Sequence, residues 1–135
     1  MGRILFVFSL ACALAGESPR SEIVSSAFGH GITVSERDLG GTLMLTLSNG
    51  MPSAVRQYEI DVWALYEHGP ARRLCVLKGT EAGISPSATV QLPGLCRLQG
   101  DAAQGRVVSH TTKILAIELE NGWTWHAPTT YKLTH

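Results

Sequence analysis

Apolar and polar side chains alternate between Val55 and Tyr66. Tyr58, Ile60, Val62, Ala64 and Tyr66 fall on one face, and Gln57, Glu59 and Asp61 on the other before it turns apolar at Trp63 and Leu65. A period of two predicts a strand with one buried face. Val55, Tyr58, Val62, Leu65 and Tyr66 also fall at helical spacing, but the β-branched and aromatic content and the flanking breakers favour a strand. This strand is the expected centre of the fold.

The same period recurs along the chain. Thr42 to Ser48 places Leu43, Leu45 and Leu47 opposite Thr42, Thr46 and Ser48, with Met44 the one apolar exception. Asn49-Gly50-Met51-Pro52-Ser53 then forces a reversal, since Asn and Gly tolerate positive φ and Pro has no ladder donor. Gly29-His30-Gly31 opens a shorter strand at Ile32 to Glu36. Arg72 to Leu77 sets Leu74 and Val76 against Arg73, Cys75 and Leu77, and Gly79 to Ser87 reads as a loop. Ala88, Val90 and Leu92 then alternate with Thr89 and Gln91 until Pro93-Gly94. A further strand is expected from Val107, with polar Ser109 to Lys113 leaving its course open. Ile114 to Glu120 is expected to place Leu115, Ile117 and Leu119 on one face against Glu118 and Glu120. Asn121-Gly122 is a strong hairpin signal, returning through Trp123 to His126 and ending at Pro128, with a last extended piece at Tyr131 to Leu133. About seven or eight short strands with turn signals every ten residues or so predict an all-β sandwich, or alternatively a small β-barrel.

At the N-terminus the pattern changes. Met1-Gly2-Arg3, the apolar run Ile4 to Leu14 and the small residues around Ala15 have the layout of a secretory signal peptide. The run is about half the roughly 20 residues a membrane-spanning helix needs. Cleavage after Ala15 would leave a flexible leader over 16–28, with polar Glu17 to Ala27 showing no period, and one β domain over 29–135. Ser9-Leu10-Ala11-Cys12 also resembles a lipoprotein signal, with Ser9 where that motif usually has Leu, so attachment through an acylated Cys12 is the alternative. Either route implies a secreted or periplasmic location.

That location gives the cysteines a meaning. Of three, Cys12 leaves with the signal peptide, and Cys75 and Cys96 remain as an even pair whose default state in an oxidising compartment is a disulfide. The 11 Lys and Arg balance the 11 Asp and Glu. There is accordingly no electrostatic case for nucleic acid as a partner.

Leu47-Ser48-Asn49 followed by Arg56 to Val62 resembles the second and third strands of immunoglobulin-like modules in secreted bacterial proteins, and Ile117 to Trp125 is similar to their closing hairpin. The resemblance implies an antiparallel immunoglobulin-like β-sandwich. It departs from antibody domains, whose disulfide crosses the core beside a tryptophan, because Cys75 and Cys96 both follow the third strand.

Reacting groups are hard to assemble from these residues. His30, His68, His110, His126 and His135 are dispersed with no pair at metal-binding spacing, no Gly-x-Ser-x-Gly elbow occurs, and no glycine-rich loop leads into a helix. Glu59 with Asp61 and Glu118 with Glu120 read as solvated outer-face pairs, since a glycosidase needs its two carboxyl groups across a cleft. No catalytic residue, metal or cofactor is expected. Trp123 and Trp125, two residues apart, are expected on one strand face. They either pack on the core against Tyr58 and Val62 or, with Tyr131 or Trp63 nearby, form an aromatic platform for a sugar or a protein. The expected function is a non-catalytic binding module for a protein partner or a glycan, its oligomeric state left open. The alternatives are a carbohydrate-binding module or a small secreted enzyme inhibitor presenting Gly79 to Ser87.

Overall fold

The computed structural model describes residues 20–79 and 83–128. They form nine strands: β1 (Glu22–Ala27), β2 (Ile32–Asp38), β3 (Thr42–Asn49), β4 (Val55–Tyr66), β5 (Arg72–Gly79), β6 (Thr89–Gln91), β7 (Cys96–Arg97), β8 (Val107–Leu119) and β9 (Thr124–His126). All pair antiparallel in two sheets. Sheet A runs β1-β2-β3-β6 with β7 further along the same edge of β3, and sheet B runs β5-β4-β8-β9. The chain crosses between sheets at β3–β4, β5–β6 and β7–β8, and the sheets pack face to face as an open sandwich rather than a closed barrel. Among the described residues no helix is long and apolar enough to cross a membrane.

The alternation read in the sequence sets the core. Leu43, Leu45 and Leu47 from β3 meet Ile60 and Val62 from β4, with Ile32, Val34, Ile114, Ile117 and Leu119 completing a dry layer between the sheets. Each large aliphatic side chain buried there contributes about 1.5–3 kcal/mol. β4 carries the expected inner face of Tyr58, Ile60, Val62, Ala64 and Tyr66.

Bulges re-phase the pattern where strict alternation fails. In β8 the partners of Glu59 and Ile60 are Ala116 and Ile114, leaving Leu115 as an extra residue. Inward positions therefore run Thr112, Ile114, then Ile117, Leu119. The expectation that Leu115 shares a face with Ile117 and Leu119 is corrected on this ground: an inserted residue flips every side chain before it. A second bulge at Arg56 lets Val55 and Tyr58, three residues apart, both face the core.

Three further boundaries differ from expectation. The described part of the 16–28 leader contains β1, which pairs with β2 from Glu22↔Glu36 to Ala27↔Ile32 and buries Ala27. Its serines disguised it: Ser25 accepts a hydrogen bond from the Ile114 amide at 3.0 Å, so a polar side chain ties β1 to β8. The polar run Ser109 to Lys113 joins the strands expected from Val107 and over Ile114 to Glu120 into one 13-residue strand, β8, while β1 and β7 are additional, giving nine described strands. The piece expected at Tyr131 to Leu133, like the signal segment 1–15, lies outside the described residues.

Cys75 and Cys96 are bonded, with Cα atoms 6.0 Å apart. The bond joins β5 of sheet B to β7 of sheet A. It links the sheets, as in antibody domains, but through the outer strand β5 rather than the central pair. A bonded pair of this kind suits an oxidising compartment.

Candidate functional site

The outer face of sheet B leaves a contiguous group of large apolar side chains in water. Trp63 is 41% exposed, Leu65 46% and Val76 41%. They are neighbours by register: Trp63 and Leu65 are two apart on β4, and Val76 pairs with Asp61, two residues before Trp63. Leu65 lies opposite Ser109, and the bulged residue beside it, Val108, is exposed as well.

Trp63 does not float on this face. Its indole Nε1 donates to Asp61 Oδ2 at 2.9 Å, and the Arg73 guanidinium carbon sits 6.0 Å from its ring centroid, within cation–π range. The sequence reading of Glu59 and Asp61 as a solvated pair needs correcting for Asp61, which is only 4% exposed. Among the described residues its buried Oδ1 has no hydrogen-bond partner. An unsatisfied buried acceptor costs about 1–3 kcal/mol. Lys113 lies opposite Asp61 in the β4–β8 ladder.

Trp123 and Trp125 do not share a platform. Trp125 belongs to β9, pairs with Ile117 and is half-buried against the core. Trp123 is 61% exposed and precedes the strand. It lies in the hairpin turn, where its carbonyl accepts from the Leu119 amide at 2.9 Å and its own amide donates to Asn121 Oδ1 at 3.0 Å. The bond from the Leu119 amide continues the β8–β9 register by one pair, so the two rings differ in exposure rather than in phase. Tyr131 lies outside the described residues.

At the same end of the sandwich, an open hollow of about 680 Å³ is lined by residues from three loops, including Pro52, Ser53, Pro86, Glu120 and Asn121. Asn49 organises it. Buried at the end of β3, this side chain donates to Ser53 O at 3.0 Å and Ile84 O at 2.9 Å and accepts from the Met51 amide at 2.9 Å. Ile84 is buried and bonded in both directions to Val55 at 2.9 Å, so the described part of the 79–87 loop lies against the body of the domain.

A third cluster was invisible in the sequence. Glu36 of β2 binds His110 Nε2 through one carboxylate oxygen and the Thr112 hydroxyl through the other, each at 2.6 Å. All three lie between the sheets, half-buried or buried. Folding brings together residues 74 positions apart, and no spacing rule would have paired them. Both oxygens are occupied, and the one hydroxyl engaged, Thr112, donates to the carboxylate rather than to the imidazole. The cluster is built as a clasp between β2 and β8, not as a nucleophile with its base.

The far end is stitched by charge. Glu67 accepts from the Arg106 amide at 3.0 Å and from its guanidinium, which together hold its carboxyl below the usual range. Asp101 is likewise lowered, first by the Ala103 amide and then by Arg72. Gln104 joins the same network through the carbonyls of His68 and Pro70. The comparisons leave this geometry as the whole basis for a functional reading: no family model, curated protein or solved structure matches the chain.

Proposed function

We propose that this domain is a non-catalytic extracytoplasmic binding module that takes a protein partner on the outer face of β4 and β5. The observation that carries the reading is the exposed Trp63, Leu65 and Val76 cluster with Trp63 held by Asp61 and Arg73. A tryptophan already fixed in orientation loses little freedom on binding, and aromatic and arginine side chains dominate the energetics of protein interfaces. The bonded cysteines and the signal-like segment at the N-terminus support an exported location. The strand order β5-β4-β8-β9 facing β2-β3-β6 supports the likeness to immunoglobulin-like modules. A glycan reading is weaker, because Trp125, one of the two rings of the expected platform, is half-buried against the core. An inhibitor reading is weaker too, because the described part of its loop is bonded down.

The test is a photo-crosslinking residue placed at Leu65 or, separately, at Trp123, in protein expressed and exported by cells of its own source. A partner adduct from position 65 that disappears with Trp63→Ala is expected. Adducts from position 123 alone would move the site to the loop end and reject this face.

A further inference from the structure

β5 is the outer strand of sheet B, pairing with β4 from Tyr58↔Gly79 to Ala64↔Arg72 and, among the described residues, with no strand on its other side. Half of its backbone donors and acceptors therefore face outward unpaired, a ready template for an added strand. The register fixes which side chains flank that edge on the outer face: Arg73 opposite Trp63, Val76 opposite Asp61, and Lys78 opposite Glu59.

The charge of this edge is one-sided. β5 contains Arg72, Arg73 and Lys78 and no carboxylate. Arg72 is held by Asp101. Among the described residues Arg73 and Lys78 have no carboxylate within ion-pair distance, and Arg73 faces the Trp63 ring instead. A shallow trough of about 630 Å³ runs along these residues, its lining of Glu59, Arg73, Leu74, Cys75, Val76 and Lys78 including one acid against two bases. Cations on an edge strand normally guard against self-pairing, and a second copy would bring Arg72, Arg73 and Lys78 against their own kind. The same cations leave the edge open to a strand of opposite charge. The disulfide at Cys75 ties the edge to sheet A, so it is rigid before anything binds.

We infer that β5 accepts an extended acidic segment of a partner protein as an added antiparallel strand, its carboxylates beside Arg73 and Lys78 and an apolar residue beside Val76. This rests on the binding-module reading above and specifies its partner. Backbone bonds to the edge would supply affinity, and the alternating charged and apolar side chains would supply selectivity. The bulge between Val62 and Trp63 makes Leu74 the extra residue of β5, and the ladder resumes at Trp63↔Arg73.

The probe is a blocked eight-residue peptide, Thr-Glu-Thr-Val-Thr-Glu-Thr-Thr, whose Glu, Val and Glu lie two apart and so share one face of an added strand. Its controls are the counterpart with lysine in place of glutamate and the same glutamate peptide methylated on alternate amides. Binding is measured by calorimetry and mapped by amide chemical shifts. The glutamate peptide is expected to bind with a dissociation constant below about 1 mM, to shift β5 amides, and to weaken at higher salt. Arg73→Glu with Lys78→Glu should reduce affinity at least about tenfold, a cost of 1.4 kcal/mol or more. Arg73→Gln with Lys78→Gln, milder changes at exposed positions, should give an intermediate loss at an unchanged melting temperature. Equal binding of the lysine peptide, indifference to amide methylation, shifts mapping away from β5, or no binding would each overturn strand addition. Crosslinking from position 65 is independent of the peptide, so adducts there with no peptide binding would reject the acidic strand while leaving the sheet-B face in place.

Discussion

Asn49 makes three hydrogen bonds from a buried side chain, two donated and one accepted, a set that only a side-chain amide, of Asn or the longer Gln, supplies. Asn49→Ala would take their side-chain partner from the Met51 amide and the Ser53 carbonyl, leave the Ile84 carbonyl with the Val55 amide alone, and is expected to cost about 2–4 kcal/mol by urea unfolding. Asn49→Asp, which replaces a donor with a charge facing two carbonyls, should cost at least as much at neutral pH. Gly79 is constrained by space instead. A Cβ there would enter the ring of Tyr58, its cross-strand partner, with Cε2 nearest. Gly79→Ala should therefore destabilise by about 1–3 kcal/mol. That penalty should largely vanish in a Tyr58→Ala background, a non-additivity that a double-mutant cycle would read.

At the scale of the element, β8 shows how one residue decides a strand. Leu115 is the extra residue of a bulge, and without it Ile114, Ala116 and Ile117 would alternate cleanly. Deleting Leu115 is accordingly expected to leave a folded domain with a modestly lowered melting temperature. Deleting Thr111 instead would turn the residues before it to the wrong face and abolish cooperative unfolding. The same strand marks where the sequence was readable. Val55–Tyr66 and Thr42–Asn49 announced themselves because one face is dry and the other wet, and Asn121-Gly122 announced its hairpin by turn chemistry. β1 reads as a leader because Ser25 and Ser26 are polar in a strand that sits at the sheet edge and bonds through a hydroxyl. The outer-face patch was half legible: Trp63 and Leu65 broke the polar side of β4 visibly, but the covering of Asp61 by the strand's own tryptophan needed coordinates. The Glu36–His110 clasp left no local trace, since it is set by the packing of one sheet on the other.

For the whole molecule, charge concentrated at one end predicts how stability follows pH. Glu67 and Asp101 both titrate below their ordinary values of 4.5 and 3.8, so the native state resists protonating them. Their contribution is complete above those values and is lost as pH falls through the lower native ones. Tyr58 is raised above 10.0 by burial, and its contribution is complete below that value and fades as pH climbs past it. Melting temperatures across a pH series should hold a plateau through neutrality, with the acid flank flattened by Glu67→Gln. The bond between Cys75 and Cys96 has a mechanical counterpart to these equilibria. Pulled by its two ends, the oxidised chain carries the load across that crosslink, and the segment between the cysteines, 21 positions in sequence, never feels the force. Stretched in a single-molecule instrument, the oxidised domain should fall short of the reduced one by about 65–70 Å of contour length at roughly 3.3–3.6 Å per residue. Cys75 of β5 would remain fastened to Cys96 of β7 after everything outside the loop had come undone.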